Sequence, residues 1–381
     1  MREFIPFAKP DISGEEIEAV KSVLESGWLT TGNETKSFEK EFTDYLGDQE
    51  IFSISVNSAT SGLHLALEAI GVTSGDEVIT TTHTFTATAE IIRYLGAVPR
   101  FIDIDDSFCI DPKLIESKIT DKTKAIIPVH FAGLSANMEE ILKIAKRHNL
   151  KVIEDAAHAL PTKYKSKLIG TLESDITVFS FYANKTMTTG EGGMLVTKDP
   201  NLAKRAMIMR LHGIDRDAFN RFTSEKPSWY YEVVAPGYKY NLTDIASAIG
   251  RVQLKKVEDF QIQRQRIAEI YLNEFRNLSL KLPPLPGEGC SHSWHLFIIQ
   301  LNQKEQSRDR FINQLFDDGI GCSVHYIPLH LQPYWRDTFS LDINEFQKSQ
   351  AVYENCISLP IYSSLKDSQL ERVINAVKKN L

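Results

Sequence analysis

The sequence contains few cysteines and no long apolar run. Its 381 residues include four cysteines, which stand far apart and form no CxxC pair: Cys109, Cys290, Cys322 and Cys356. This usage predicts buried or incidental thiols in a reducing, cytoplasmic setting. No apolar run approaches the roughly 18 residues that a membrane helix needs. The opening MREFIPFAKPDISGEE also lacks the apolar core of a secretory signal.

An excess of positive charge is also missing. The chain has 43 Lys and Arg against 50 Asp and Glu, and its net charge is −7. This acidic balance disfavours nucleic acid or an anionic membrane as the main partner. Neither GxGxxG nor GxxxxGK[ST] occurs, which weakens interpretations as an NAD(P) or nucleoside triphosphate site. We therefore expect a small anionic ligand, bound by a local group of donors.

The chain does contain a regular alternation of strand-like and helix-like segments. Alternation of this kind predicts an α/β fold with a mainly parallel, seven-stranded sheet covered on both faces. Ligands of such sheets bind beyond the carboxyl ends of the strands. The runs that we interpret as strands, with helix-period segments between most of them, are 51–57, 77–85, 98–105, 124–131, 151–157, 175–181 and 192–198.

The pattern changes near residue 245. One or two long helices are expected after this point, followed by the Pro/Gly-rich break LKLPPLPGEG. A strand, a helix, a short strand and a closing helix complete the chain. Because 381 residues exceed what one core usually fills, we predict a large domain at 1–245 and a small α+β C-terminal domain at 246–381.

Lys185 is the first candidate for chemistry. It follows the apolar run TVFSFY and precedes the flexible TMTTGEGG. A lysine nucleophile works best when it is partly desolvated, and glycines allow backbone to approach a ligand closely. The alternative is a lysine that reaches solvent from the end of a strand.

Asp155 in VIEDAAHA is the second candidate. An aspartate at the end of an apolar strand is costly unless it meets a cation or hydrogen-bond donors. One such cation is the protonated pyridine nitrogen of pyridoxal phosphate (PLP). The alternative is a helix N-cap before the alanines.

Several further segments have two interpretations each. Ser58 and Thr60 in VNSATSGLHLAL either begin a phosphate-binding helix or merely cap it. Phe85 either stacks on a planar cofactor or packs in the core. The histidine pairs in HSWH and HYIPLH hint at metal, but no cysteine or acid completes a ligand set, so no metal is expected. The basic loop 211–222 is either solvated or an anion contact.

Taken together, these segments resemble a known family. SATSGLHLAL, EVITTTHTF, AIIPVHFAG, VIEDAAHA, FSFYANKTMTTGEGG and PGYKYNLTDIASAIGRVQL are similar to motifs of the DegT/StrS-type sugar aminotransferases. The resemblance covers essentially the whole chain, and it implies a fold-type I PLP enzyme that acts on nucleotide-linked keto sugars. GWLTTG, LHGIDRDAF and SHSWHLFII are most similar to transaminases that make 4-amino sugars, including the 4-amino-4-deoxy-arabinose enzymes.

The resemblance also implies roles for individual residues. Lys185 matches the lysine that links covalently to the cofactor, and Asp155 matches the acid that pairs with the ring nitrogen. Phe85 and Ala157 match the residues on the two ring faces, and His158 the position beside the ring. Asn241 matches an asparagine from the neighbouring subunit. Ala59, Thr60 and Ser180 match phosphate-site positions, and Ser58 beside them is a further cofactor-binding candidate. The candidates for substrate contacts, chosen for their donor groups or rings, are Trp28, Thr30, Thr31, Arg216, Arg221, Trp229, His325, Tyr326 and His330. Tyr182 and Asn184 stand where other members carry different residues, so their roles stay open.

The expected activity is a PLP-dependent transamination by a homodimer with shared active sites. Glutamate would leave pyridoxamine phosphate and 2-oxoglutarate. The amino group would then pass to C4 of a UDP- or dTDP-linked 4-keto sugar, for cell-surface polysaccharide or lipopolysaccharide precursors. The alternatives are a 3-keto sugar substrate, another PLP enzyme such as a lyase or racemase, and a non-catalytic PLP-binding regulator.

Overall fold

The computed structural model describes residues 3–215, 230–302 and 307–381. The helices of this part are α1 Gly14–Ser26, α2 Asn33–Leu46, α3 Ala59–Ala69, α4 Ala87–Tyr94, α5 Pro112–Ile115, α6 Met138–His148, α7 Pro200–Met209, α8 Asp244–Phe275, α9 Arg308–Asp317, α10 Pro333–Phe339, α11 Gln347–Asn355 and α12 Asp367–Asn380. The strands are β1 Phe52–Val56, β2 Glu77–Thr81, β3 Val98–Ile102, β4 Thr123–Ile126, β5 Lys151–Asp155, β6 Lys163–Tyr164, β7 Lys167–Leu168, β8 Ile176–Ser180, β9 Gly193–Thr197, β10 Leu280–Lys281, β11 Phe297–Leu301 and β12 Cys356–Leu359.

Seven of these strands form the large sheet, in the order β1-β9-β8-β5-β4-β2-β3. Strand β9 is antiparallel to both of its neighbours, and the remaining pairs are parallel. All seven strands expected from the sequence are present. The mainly parallel sheet is therefore confirmed, with β9 as the reversed strand.

Neighbouring residues of each central strand face two different cores, as the two-residue repeat of a strand requires. In β8, Val178 packs with helices α3, α4 and α7 on one side of the sheet. The next residue, Phe179, packs with α2, α6 and the start of α8 on the other side. Met194 and Leu195 of β9 divide in the same way. Because both faces are covered, the strands are apolar almost throughout.

The C-terminal part is built on the antiparallel sheet β10-β11-β12. Its core gathers residues from α9, α12 and the second half of α8. Helix α8 is one continuous helix of 32 residues, and the Thr243 side chain caps its start by accepting from the amide of Ala246 at 3.2 Å. Leu254 and Val257 of α8 belong to the core of the large sheet, whereas Tyr271 and Phe275 belong to the C-terminal core. The boundary at residue 245 stays a prediction.

No helix in the described ranges is long and apolar enough to cross a membrane.

Candidate active site

Lys185 lies in the loop that joins two adjacent strands of the large sheet. Strand β8 ends at Ser180, the loop turns back, and β9 begins opposite at Gly193, which pairs with Ser180. The amide of Lys185 donates to the carbonyl of Tyr182 at 2.9 Å, and the Thr188 hydroxyl donates to the carbonyl of Phe181 at 3.1 Å. These bonds hold Lys185 at the carboxyl end of β8, where ligands of such sheets bind.

The environment of Lys185 favours the neutral amine. Its side chain is half-buried, and burial lowers its pKa to about 8, with the nearby Asp155 opposing that shift. No carboxylate in the described ranges forms an ion pair with its ammonium group. A lysine with a lowered pKa supplies a useful fraction of nucleophilic amine near neutral pH.

Asp155 ends the neighbouring strand β5, and its side chain is 5% exposed. Its Oδ2 accepts from the Thr88 hydroxyl at 2.8 Å, and its Oδ1 accepts from the amide of Ala157 at 3.2 Å. Burial raises the pKa of Asp155, while these two bonds and the charge of Lys185 act against the rise. Turns follow Asp155 rather than a helix, so the helix-cap interpretation is wrong.

The start of helix α3 lies close to the end of β8 and the start of β9. The Ser58 hydroxyl accepts from the amide of Ser61 at 3.1 Å, which leaves the first amides, those of Ala59 and Thr60, for a ligand. A Cβ on Gly193 would lie 2.8 Å from the Ala59 nitrogen and 2.8 Å from the Phe179 carbonyl oxygen. Only a glycine therefore allows this approach. Ser58 thus caps α3 and also borders the position where an anion would bind.

Aromatic and imidazole rings close the remaining wall. Phe85 lies after β2 with 57% of its surface exposed, so the core-packing interpretation is wrong. Its ring centroid is 5.8 Å from that of Tyr326. The Tyr326 hydroxyl lies 3.1 Å from Nε2 of His158. Burial and the charge of Lys185 lower the pKa of His325 to about 4, so the ring is neutral at pH 7.

These groups surround one cavity of about 460 Å³. Its wall combines an amine, a carboxylate, a helix start and aromatic rings, so one ligand can meet a nucleophile, an acid and an anion site together. The candidates from the sequence that line it are Ser58, Ala59, Thr60, Phe85, Asp155, Ala157, His158, Ser180, Lys185, His325 and Tyr326.

Comparisons with known proteins agree with this geometry. The model of the DegT/DnrJ/EryC1/StrS aminotransferase family matches residues 10–378. The chain belongs to this family. It is 49% identical over 379 residues to protein MJ1066 of Methanocaldococcus jannaschii, covering 99% of this chain and 97% of that protein. It is 44% identical over 379 residues to the spore coat polysaccharide biosynthesis protein SpsC of Bacillus subtilis, covering 98% and 96%.

A solved structure extends the similarity to three dimensions. The PMP form of the sugar aminotransferase Spr1654 from Streptococcus pneumoniae superimposes with a TM-score of 0.91 at 34% identity, covering 99% of this chain and 97% of that one. Its PLP form gives a TM-score of 0.90 at 33% identity, covering 99% and 100%. This member of the DegT/DnrJ/EryC1/StrS family is therefore a PLP-dependent sugar aminotransferase, as the sequence motifs indicated, and the fold-type I architecture is confirmed.

The cavity suits PLP on its own chemistry. Asp155 has a buried carboxylate that would pair with a ring nitrogen, and Phe85 has an exposed aromatic face on which the ring would stack. The start of α3 and Ser180 line the same cavity, and the missing Cβ at Gly193 allows the α3 start to lie against the end of β8. Bound PLP supplies an aldehyde carbon for amino groups and a ring that accepts electrons. The Lys185 amine, which lines this cavity, would be the base that carries a proton between donor and acceptor carbons.

Other predicted residues lie elsewhere. Thr31 and Asn241 are in contact, through a 2.7 Å bond from the Asn241 amide to the Thr31 hydroxyl. Trp28 joins the same corner, since its Nε1 donates to the carbonyl of Thr31 at 3.2 Å, and Thr30 accepts from the amide of Asp244 at 3.2 Å. None of these residues lines the cavity that contains Lys185 in the same chain.

Four further candidates cannot be placed on the cavity. His330 is 1% exposed, and its ring nitrogens contact the Thr82 hydroxyl at 3.1 Å and Gln350 Oε1 at 3.3 Å. A phosphate contact would require these partners to be exchanged. Three lie outside the described residues: Arg216, Arg221 and Trp229.

The sequence interpretation missed the pair Thr84 and Thr88. Both are buried on the cavity wall, and their hydroxyls lie 2.8 Å apart. THTFTAT carries no periodic signal for this pair, because Thr84 precedes α4 and only Thr88 lies within it. Glu191 of the TGEGG segment also borders the cavity.

The histidine pairs make no metal centre in the described ranges, where no group of three or more His, Cys, Asp or Glu could hold an ion. His292 accepts from the amide of Trp294 at 2.9 Å and stacks on its ring. His292 therefore has a packing role beside Trp294.

Proposed function

We propose that this enzyme transfers the amino group of glutamate to C4 of a UDP- or dTDP-linked 4-keto sugar. The observation that supports a sugar most directly is the hydroxyl-rich wall beside Lys185. Neutral hydroxyls both donate and accept, so they match the hydroxyls of a sugar as well as the carboxylates of glutamate. The hydroxyl groups on this wall include those of Thr60, Thr84, Ser180, Tyr182 and Tyr326.

The family supports the wider role. The similarity to SpsC, whose name refers to spore coat polysaccharide, favours a cell-surface polysaccharide or lipopolysaccharide precursor as the product. Amination at C4 rests on the motif resemblance of GWLTTG and SHSWHLFII, and C3 is the alternative position. The cytoplasmic setting stays a prediction.

We also propose that the active form is a homodimer with shared sites. Asn241 is 9% exposed, its side-chain amide donates to the Thr31 hydroxyl, and it is not among the residues that line the cavity of its own chain. A role for Asn241 at a cofactor therefore requires the cavity of a second copy. The corner formed by Trp28, Thr30, Thr31 and Asn241 would then contribute to the partner's substrate site.

The test is product analysis after turnover with glutamate and a panel of 4-keto and 3-keto sugar nucleotides. We expect NMR of the product to show nitrogen on C4 of a UDP- or dTDP-sugar, with 2-oxoglutarate formed in equal amount. Nitrogen on C3, or turnover only with free keto acids, would overturn the proposed substrate. Replacing glutamate by glutamine, alanine or aspartate tests the donor separately.

A further inference from the structure

His158 and Tyr326 form a hydrogen-bonded pair on the cavity wall, and a backbone amide fixes the direction of their bond. The amide of Ala132 donates to Nδ1 of His158 at 3.2 Å, so Nδ1 is an acceptor. Burial, followed by the charge of Lys185, lowers the pKa of His158 well below its ordinary value. The ring is therefore neutral, and its one N–H lies on Nε2.

This tautomer determines what Tyr326 can do. Nε2 of His158 lies 3.1 Å from the Tyr326 oxygen, so the imidazole N–H donates and the phenol oxygen accepts. The phenol proton must then point to another acceptor. Burial, with the charge of Asp155, raises the pKa of Tyr326, so the proton is retained. Within the described ranges we find no protein acceptor for it, and Tyr326 lines the cavity together with Lys185.

We propose that the Tyr326 hydroxyl donates a hydrogen bond to an oxygen of the reactant bound beside Lys185, and that His158 is the positioning residue that aims this donor. The proposal deepens the aminotransferase function and does not depend on which sugar is used. Both reactants bring oxygen acceptors into the cavity, either the carboxylate of the amino donor or an oxygen of the sugar. The competing interpretation is that Tyr326 has only a packing role. Its ring centroid lies 5.8 Å from that of Phe85 and 6.1 Å from that of Phe131.

The first experiment separates the hydroxyl from the ring. Tyr326→Phe keeps the packing and removes the donor. We expect a roughly tenfold or greater fall in the single-turnover rate of the holoenzyme with glutamate or with the keto sugar. The reactant whose step slows identifies the acceptor. A fall in kcat at nearly constant KM would show that the bond strengthens in the transition state. Unchanged rates in both half-reactions would overturn the proposal.

A matched control is Tyr271→Phe. The Tyr271 hydroxyl is also buried, and it donates to the carbonyl of Pro360 at 2.9 Å, in the C-terminal core. This variant should lose stability but keep the wild-type single-turnover rate. Equal rate losses in both variants would assign the effect of Tyr326→Phe to general destabilisation, against the proposal.

The second experiment reads the tautomer without any reactant. Nitrogen NMR of the histidine-labelled enzyme should show His158 neutral at pH 7 with its proton on Nε2, assigned by the loss of its signals in His158→Gln. Tyr326→Phe should shift the Nε2 resonance more than the Nδ1 resonance. A proton on Nδ1, or an imidazolium, would overturn the assignment. If the wild-type enzyme does not react with glutamate, glutamate is not its amino donor. The NMR measurement still determines the tautomer of His158 and the direction of its hydrogen bond with Tyr326.

A double-mutant cycle tests the positioning role of His158. His158→Leu removes the bond to Tyr326, whereas the amide of His158→Gln can still donate and should retain more activity. If His158 acts through Tyr326, His158→Leu should cost a smaller factor in the Tyr326→Phe background than in wild type. Independent, multiplying losses would overturn the positioning role.

Discussion

Thr88 donates its hydroxyl proton to Oδ2 of Asp155 at 2.8 Å, across 67 positions of sequence. Because that single proton is used, the Thr84 hydroxyl at 2.8 Å must be the donor in its contact with Thr88. Two hydroxyls therefore form a short chain that ends on the buried carboxylate. The bond from Thr88 favours the ionised form of Asp155 and acts against the burial that raises its pKa.

Replacing Thr88 by valine should remove this support while nearly preserving shape. The Thr88 bond lowers the pKa of Asp155, so its loss should raise that pKa further. Because the ionised carboxylate is the active form, activity is lost as pH falls through this pKa, and the acid limb of the pH–rate profile should move to higher pH. We expect a rate loss of roughly tenfold near neutral pH.

Thr80→Val is the control, since the buried Thr80 hydroxyl donates to the carbonyl of Ile127 at 3.0 Å, off the cavity wall. An unmoved acid limb would contradict the role of Thr88.

Lys185 should destabilise the apoenzyme below the pH at which it loses its proton. Its pKa is about 8 in the folded chain against 10.5 for an ordinary lysine. The unfolded chain therefore binds more protons between these values, and stability should rise with pH across this window. The cost below pH 8 is at most about 3 kcal/mol, from the same shift. Lys185→Met should be more stable than wild type at pH 7 and should lack this rise.

Lys185→Arg is the matched control, because arginine keeps its charge throughout this range. It should show neither the gain in stability nor the rise with pH. Denaturant unfolding of the three apoproteins at pH values from about 6 to about 10 measures how the free energy of unfolding of each one depends on pH. Identical pH dependence of wild type and Lys185→Met would refute it. Both variants should lose turnover, and borohydride should trap the cofactor of wild type on the peptide that carries Lys185.

Gly193→Ala should weaken cofactor binding without touching any group that contacts the ring. The new Cβ would lie 2.8 Å from the Ala59 nitrogen and the Phe179 oxygen, which are backbone atoms that cannot move alone. The start of α3 would be pushed from its place, with an overpacking cost of about 1–3 kcal/mol. We expect at least roughly tenfold weaker PLP affinity by fluorescence titration. Gly287→Ala, where nothing lies within 4 Å of the new Cβ, should bind PLP normally. Equal affinity in both variants would argue against the phosphate position.

Subunit mixing tests the shared site. Lys185→Ala subunits and subunits with a severe Asn241 substitution should each be inactive alone. Under random exchange, half of the dimers are mixed and each has one intact site, so about a quarter of wild-type activity should return. If verified mixed dimers stay inactive, Asn241 acts within its own chain or not at all.

The central sheet could be predicted from the sequence because its signals are local. Each of the seven strands is a short apolar run, and the order of strand and helix fixed the fold class before any contact was known. The sequence interpretation also gave a single residue for each chemical role, Lys185 and Asp155, through motifs that follow strand ends. The sequence did not predict that β9 runs antiparallel to its neighbours. The loop of glycines and threonines before β9 does not determine which strand β9 pairs with or in which direction it runs.

The missed residues share one physical cause. Thr88 and Ala132 act on Asp155 and His158 across distances that only tertiary packing closes, and threonine or a backbone amide carries no distinctive pattern of its own. His330 is the converse case, because its position in HYIPLH made it a candidate for a substrate contact, whereas its ring is stacked on Phe346 and does not line the cavity. Local sequence therefore identifies strongly functional residue types better than it identifies the groups that orient them.

Helix α8 has a practical consequence for anyone who builds chimeras of this enzyme. Its 32 residues span about 48 Å, and its two ends belong to different cores. A crossover at residue 245, where the sequence pattern changes, would take nearly all of α8 from the second parent. The first half of α8 would then pack against Phe38 and Phe42 of the first parent. A crossover after Phe275 takes α8 and the large sheet from the same parent. The contacts between residues of different parents then lie in the C-terminal core. The choice between these breakpoints decides which part of the molecule must be redesigned.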